Sequence, residues 1–168
     1  FLMWFNENRQ VYANVPDGAC VSQKTDEQKE VSRAALQNQH FRLAIGYSID
    51  RASYISQSLG EDLKYVCLRN SYVPGDFVSL EEDVTVDING TPTSFEAGTF
   101  YGEIVQAQVT ADGYPFKVWD EENHSSDGFD GWYNVENALS ELELAIEELG
   151  AMGYEVSAEN PIVLDYPY

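Results

Sequence analysis

The feature that most restricts the fold is a long amphipathic pattern near the C-terminal end of the sequence. Apolar residues recur there at helical spacing without a break: Val135, Ala138, Leu139, Leu142, Ala145, Ile146 and Leu149. Asn134 can cap this helix and Gly150 can end it. The remaining face predicts a solvent-exposed stripe of Glu136, Glu141, Glu143, Glu147 and Glu148. Because such a helix is stable mainly through packing of its apolar face, the chain needs a globular core.

Local signals predict three shorter helices before the middle of the chain. Thr25-Asp26-Glu27-Gln28 has the capping-box form, and we expect a helix from there to about residue 36. Asn38 can cap a second helix, in which apolar residues recur near helical spacing. Asp50 can cap a third, over residues 51–59, with Gly60 as its stop.

Strand signals are weaker and more scattered. The strongest predicts a β-hairpin over residues 84–95, because Asn89-Gly90 suits the positive φ angles of a two-residue turn. Pro92 restricts the second strand to an edge. We also expect strands at residues 1–6 and 162–164, and a polar loop at 110–132. The prediction is an α+β fold, with helices packed on a small mixed sheet in a single domain over residues 1–168.

Charge excludes some functions. The chain has 29 acidic and 9 basic residues, a net charge of -20, whereas nucleic-acid binders and polybasic membrane-surface modules need a cationic face. Disorder is not expected, because 43% of the residues are hydrophobic. The apolar run at residues 1–5 is too short to span a membrane. Both ends of the sequence suggest a segment of a longer protein.

No catalytic or metal-binding pattern stands out. Neither His40 nor His124 has a second histidine or cysteine at the spacing of a zinc site. We expect the His40 side chain to be solvated or locally hydrogen-bonded. Asp127 and Asp130 are compatible with a calcium site or a carboxylate pair, but a solvated polar loop is favoured. Cys20 and Cys67 leave a disulfide and two free thiols both open, and lipidation of Cys20 is disfavoured. We therefore expect no enzyme activity, metal or cofactor.

One run of residues resembles a known signature. The two-helix signature of family 5 extracellular solute-binding proteins is matched in this sequence by Arg42, Ala44, Ile49, Asp50 and Arg51. Two positions of the signature differ here, where Phe41 replaces the usual valine and Ser48 replaces the usual alanine. Further segments are similar, in order, to Gram-positive oligopeptide-binding lipoproteins of the streptococcal Ami/Ali type; they lie at residues 4–6, 68–78, 127–134 and 161–165.

The resemblance implies the first part of the C-terminal lobe of a type II periplasmic-binding-protein-like fold, with 84–95 as an inserted hairpin. It implies the extracellular substrate-binding component of an ABC importer for oligopeptides, in which this segment forms one side of the cleft. The implied partners are oligopeptides and the permease subunits. The implied location is the outer face of the membrane of a Gram-positive bacterium, through a lipid anchor outside this segment. The alternative is a cell-surface interaction or adhesion domain without a transport role.

Candidate ligand-binding residues follow from this placement. Strand alternation puts Leu2, Trp4 and Asn6 on one face of the first strand, and a buried core position for Trp4 stays open. Arg69 and Asn70 lie in a loop that could approach the cleft or fix a turn. The signature residues receive a structural role: Arg42 and Ala44 in the helical core, and Asp50 and Arg51 as a helix cap and a salt bridge.

Overall fold

The computed structural model describes residues 5–8 and 22–165. These residues contain five α-helices, a short 3₁₀ turn and one hairpin. In chain order they are α1 (Asp26–Gln37), α2 (Gln39–Ser48), α3 (Arg51–Leu59), the 3₁₀ turn (Glu61–Leu63), β1 (Val84–Ile88), β2 (Thr91–Phe95), α4 (Tyr101–Ala111) and α5 (Val135–Ala151). The predicted α+β class is confirmed. No helix in the described part has both the length and the apolar character that a membrane span requires.

The chain divides into two compact units. The first contains the described residues up to Ser48 and those from Asn134 onward, and the second is Ile49–Tyr133. The predicted α1, α2, α3 and α5 are all present. The capping box is also present, because Gln28 N donates to Thr25 Oγ1 at 3.1 Å and Thr25 N donates to Gln28 Oε1 at 3.0 Å.

The first unit is a helix assembly with a small apolar core. Ala34 and Ala35 of α1, Phe41 of α2, and Ala145 and Leu149 of α5 are its buried members. Alanines at three of these five positions let the helix backbones approach closely, and partly buried apolar side chains pack around the Phe41 ring and Leu149. This core is the burial surface that the amphipathic pattern of α5 requires.

The predicted mixed sheet and closing strand are wrong. The one sheet within the described ranges is the antiparallel pair β1–β2, and residues 161–165 form no strand. Ile162 instead packs against the helical core, and Ser32 Oγ lies 2.6 Å from the carbonyl oxygen of Val163. The apolar run at residues 162–164 therefore packs against helices and not in a sheet. Of the predicted first strand, residues 1–4 lie outside the described part, and Phe5 and Asn6 are not in a strand.

The hairpin of the second unit follows its prediction. Its register pairs Ile88 with Thr91 across a two-residue turn, in which Asn89 has φ 52° and Gly90 has φ 81°. Pro92 pairs with Asp87, one step from the turn-closing pair, where backbone N–H groups point away from the partner strand. The missing N–H of Pro92 therefore costs the ladder no hydrogen bond.

Helix α4 was not predicted. Its N-cap is Phe100, which offers no side-chain oxygen; instead the backbone N–H of Phe100 donates to Glu103 Oε1 at 2.8 Å. The helix also contains Gly102, which is a poor helix former. A Cβ on Gly102 would lie 2.2 Å from Cε3 of the buried Trp119 ring. Close packing against this ring explains the glycine and obscures the helix in the sequence.

Candidate functional site

The candidate site is built on the start of α3, in the second unit. Asp50 caps the helix, accepting a hydrogen bond from Ser53 N at 2.8 Å and another from Ser53 Oγ at 2.6 Å. These two bonds lower the pKa of the Asp50 carboxyl below its ordinary value. The cap fixes the first turn of α3 and with it the direction in which Arg51 leaves the helix.

Arg51 joins two loops that are distant in sequence. Its Nη1 donates to the carbonyl oxygen of Arg69 at 3.0 Å. Its Nη2 donates to Asn70 Oδ1 and to Asp130 Oδ1, both at 2.6 Å. A planar guanidinium suits this arrangement because its donors leave in fixed directions. We call Arg51, Asn70 and Asp130 the arginine hub.

Asn70 is the buried member that fits the two loops together. Its Nδ2 donates to the carbonyl oxygens of Ser126 at 3.0 Å and Phe129 at 2.9 Å. Its Oδ1 accepts from Gly131 N at 3.2 Å as well as from Arg51. All the hydrogen-bonding groups of this side chain are thus used within the protein. The geometry gives Asn70 a positioning role.

Asp130 balances the charge of Arg51. Burial acts to raise the pKa of this carboxyl, but the hydrogen bond from Arg51 and those from Trp132 N and Tyr133 N lower it by more, so the pKa lies below the ordinary value of 3.8. The side chain is only 9% exposed. The expectation of a solvated loop is therefore wrong for Asp130, because its charge is paired and largely buried.

Beside the hub lies an open depression of about 360 Å³, lined by Tyr65, Gly128, Phe129, Asp130 and Tyr133. Arg69, whose carbonyl oxygen accepts from Arg51, directs its own guanidinium to Asp127 at 3.1 Å. The lining of the depression thus combines three aromatic rings with one carboxylate, the mixture of apolar surface and few polar groups that is usual in ligand sites. No cluster of three or more potential metal-ligating side chains occurs among residues 5–8 and 22–165.

The arrangement can be compared with known proteins. No protein-family model matches the chain. Oligopeptide-binding protein SarA of Streptococcus gordonii is 31% identical over 167 residues, which are 99% of this chain and 21% of that protein. Oligopeptide-binding proteins AmiA and AliA of Streptococcus pneumoniae are 33% and 32% identical over 146 and 167 residues, which are 87% and 99% of this chain and 18% and 21% of those proteins. The chain is a homologue of one segment of the streptococcal oligopeptide-binding proteins.

The predicted resemblance to this group is therefore confirmed. The chain spans about a fifth of the length of the curated oligopeptide-binding proteins it matches. The similarity extends through both compact units, since two of these matches cover 99% of the chain.

The residues of the family signature occupy both units. Arg42 and Ala44 lie in α2 of the first unit, where Ala44 is buried and Arg42 Nη1 donates to the carbonyl oxygen of Leu36 at 2.7 Å. Asp50 and Arg51 lie in the second unit and form the cap and the hub described above. The signature therefore serves helix packing at one end and loop positioning at the other.

The predicted ligand-binding residues are distributed in the same way. Leu2 and Trp4 lie outside the described residues. Asn6 belongs to the first unit, and its Oδ1 accepts a hydrogen bond from Asn8 N at 3.2 Å. Arg69 and Asn70 are brought together with Arg51 in the second unit. Ligand contact by these five residues stays a prediction.

A polar contact between α2 and α5 was missed. His40 Nδ1 lies 2.6 Å from Glu141 Oε2, and Asn38 Nδ2 donates to Glu148 Oε2 at 2.7 Å. Glu141 is only 18% exposed, so the glutamate face of α5 is not uniformly solvated as predicted. The missed signal is hydrogen-bonding complementarity, since His40 lies in the first turn of a helix that packs against the glutamate-rich α5.

Proposed function

We propose that this chain contributes to oligopeptide binding as part of the extracellular substrate-binding component of an ABC importer. The observation that carries the proposal is the 31–33% identity to oligopeptide-binding proteins over 86–99% of the chain. The proposed location is the outer face of a Gram-positive cell membrane, with a lipid anchor outside this segment and ABC permease subunits as partners. The proposed role is binding, without an enzyme activity or a cofactor.

Within that component, the chain is proposed to be the first part of the C-terminal lobe of a type II periplasmic-binding-protein-like fold. The hairpin at residues 84–95 is proposed to be an insertion into this lobe. Lobes of such proteins close on their ligand about a hinge, so a cleft surface must keep its shape while the lobe moves. The arginine hub supports this view, because it locks two loops onto the rigid start of α3.

The proposed cleft side includes Leu2, Trp4, Asn6 and Arg69, with Asn70 positioning the loop. Arg69 supports the proposal best, because its side chain is 48% exposed while its backbone carbonyl oxygen is held by Arg51 of the hub. A guanidinium at that place can donate to peptide carbonyl or carboxylate groups. The aromatic rings that line the depression can contact peptide side chains without selecting one sequence.

Calorimetric titration of the full-length protein with a mixed oligopeptide library tests the proposal. We expect binding heat, and we expect Arg69→Gln to weaken the affinity about tenfold, or about 1.4 kcal/mol. Lys117→Gln is the matched control, because it removes the same charge from an exposed position of the same unit. A folded protein that gives no heat with any peptide would count against importer function. Equal effects of the two variants would remove Arg69 from the site.

A further inference from the structure

The tip of the hairpin is tied to the end of α4 by one side-chain amide. Asn89 Nδ2 donates to Asp112 Oδ1 at 2.8 Å. Gln108 Nε2 donates to the same Asp112 oxygen at 2.9 Å and lies 3.4 Å from Asn89 Oδ1. Asp112 is the C-cap of α4, so this contact joins the turn to a helix end.

The same tip has a chemically labile sequence. Asn89 is followed by Gly90, and both residues are exposed. A Cβ built on Gly90 would meet nothing within 4 Å, and the Gly90 backbone N–H donates to the exposed carboxylate of Asp87 at 2.8 Å, a group that can take up its proton. An asparagine followed by glycine is prone to intramolecular attack, because glycine has no side chain to shield its backbone nitrogen.

We propose that Asn89 is a site of spontaneous deamidation, and that loss of its amide releases the hairpin tip from the C-terminal end of α4. The backbone nitrogen of Gly90 attacks Cγ of Asn89 and forms the new N–C bond of a cyclic imide. The bond between Cγ and Nδ2 breaks, and the side-chain nitrogen leaves as ammonia with the proton from Gly90 N. Water then adds to one imide carbonyl and opens the ring to aspartate or isoaspartate.

Deamidation turns the attractive contact between residue 89 and Asp112 into a repulsive one. The amide that donates to Asp112 becomes a carboxylate, so two negative charges face each other where a hydrogen bond stood. Both charges lie at the C-terminal end of a helix, whose dipole already disfavours anions. The antiparallel register of β1 and β2 does not depend on this amide, so the tip separates from α4 while the hairpin stays paired.

Peptide mass mapping of the folded chain during incubation at mildly alkaline pH tests the chemistry. We expect aspartate and isoaspartate to accumulate at position 89 before any other asparagine is converted. Asn123 is the internal comparator, because it is also exposed but precedes His124 and not a glycine. Retention of the Asn89 amide after Asn123 has been converted, or throughout the incubation, would overturn the proposal.

Hydrogen exchange tests the structural consequence. Asn89→Asp, which reproduces the aspartate product, should raise the exchange rates of amides at the tip and the end of α4 on the order of fivefold. Adding Asp112→Asn exchanges donor and acceptor, and should return these rates toward those of the original chain. Unchanged exchange in Asn89→Asp would overturn the release. Exchange in the double variant as fast as in Asn89→Asp would overturn the role of Asp112.

Discussion

Apolar helix packing holds the first unit together, whereas close backbone contacts and the arginine hub hold much of the second. In the first, α5 presents Ala145 and Leu149 to the other helices. In the second, Gly102 and Gly75 pack against the ring of Trp119, and Arg51 joins two loops. A helix core tolerates small local adjustments, but a hydrogen-bonded loop needs each donor in place. The difference predicts which substitutions each unit tolerates.

The largest effect is expected in the helix core. Leu149 is fully buried, so Leu149→Ala should lower the free energy of unfolding by about 2–5 kcal/mol. Leu139 lies on the same helix but is 57% exposed, and Leu139→Ala should change stability by less than about 0.5 kcal/mol. Urea unfolding followed by far-UV circular dichroism measures both. Equal losses would show that the packed face of α5 is assigned wrongly.

Replacing a glycine by alanine should destabilise the second unit but stabilise the first. A Cβ on Gly131 would lie 1.9 Å from the carbonyl oxygen of Lys117, so Gly131→Ala must shift backbone and should cost about 3 kcal/mol. A Cβ on Gly150 in α5 would meet nothing within 4 Å, and Gly150→Ala should stabilise by about 0.5–1 kcal/mol. Thermal unfolding of both variants gives the comparison. Destabilisation by Gly150→Ala, or tolerance of Gly131→Ala, would contradict it.

Two arginines of matched exposure compare the units directly. Arg51 is 28% exposed and Arg42 is 27% exposed. Arg51→Met leaves the carboxylate of Asp130 without its cation, and should cost about 2 kcal/mol after allowance for partial exposure. Arg42→Met loses a bond to the Leu36 carbonyl oxygen and a 3.4 Å ion pair with the exposed Glu7, and should cost about 1 kcal/mol or less. Urea unfolding followed by tryptophan fluorescence measures both losses of unfolding free energy. Equal losses would show that the arginine hub does not stabilise the second unit more than an ordinary arginine contact does.

The smallest expected effect is a pH dependence of the stability that Asp130 contributes to the second unit. The pKa of Asp130 is lowered in the folded protein, so its ionised form stabilises the fold at neutral pH. That contribution should be lost as the pH falls through the acid range below about 4. The difference in unfolding free energy between the original chain and Asp130→Asn should therefore shrink on acidification. If it shrinks equally in an Arg51→Met background, Arg51 is not the cause of the lowered pKa.

Local signals in the sequence predicted much of the first unit. The caps at Thr25 and Asn134 act within three residues, and the period of α5 repeats over its whole length. Helix α4 escaped prediction because its N-cap is Phe100 and its glycine serves the packing of Trp119. The segment 161–165 was mistaken for a strand, because an apolar run does not reveal whether it packs in a sheet or against a helix surface.

The candidate site was predicted only in part. Asp50 and Arg51 were assigned a cap and a salt bridge, but the partner of Arg51 could not be named. Asn70 and Asp130 lie 19 and 79 residues from Arg51 along the chain, and no periodicity links positions so far apart. Asp130 itself looked like a member of a solvated loop, although the structure pairs and largely buries it.

The sequence by itself determined the helices with clear caps, the hairpin turn and the resemblance to oligopeptide-binding proteins, because each is written in residues close together in the chain. Tertiary structure alone decided that Arg51 meets Asn70 and Asp130, that Gly102 makes room for Trp119, and that His40 meets Glu141. These contacts join residues distant in sequence, and they depend on how helices and loops pack. The physical reason is that local propensity acts over a few residues, whereas burial and charge pairing act over distances in space.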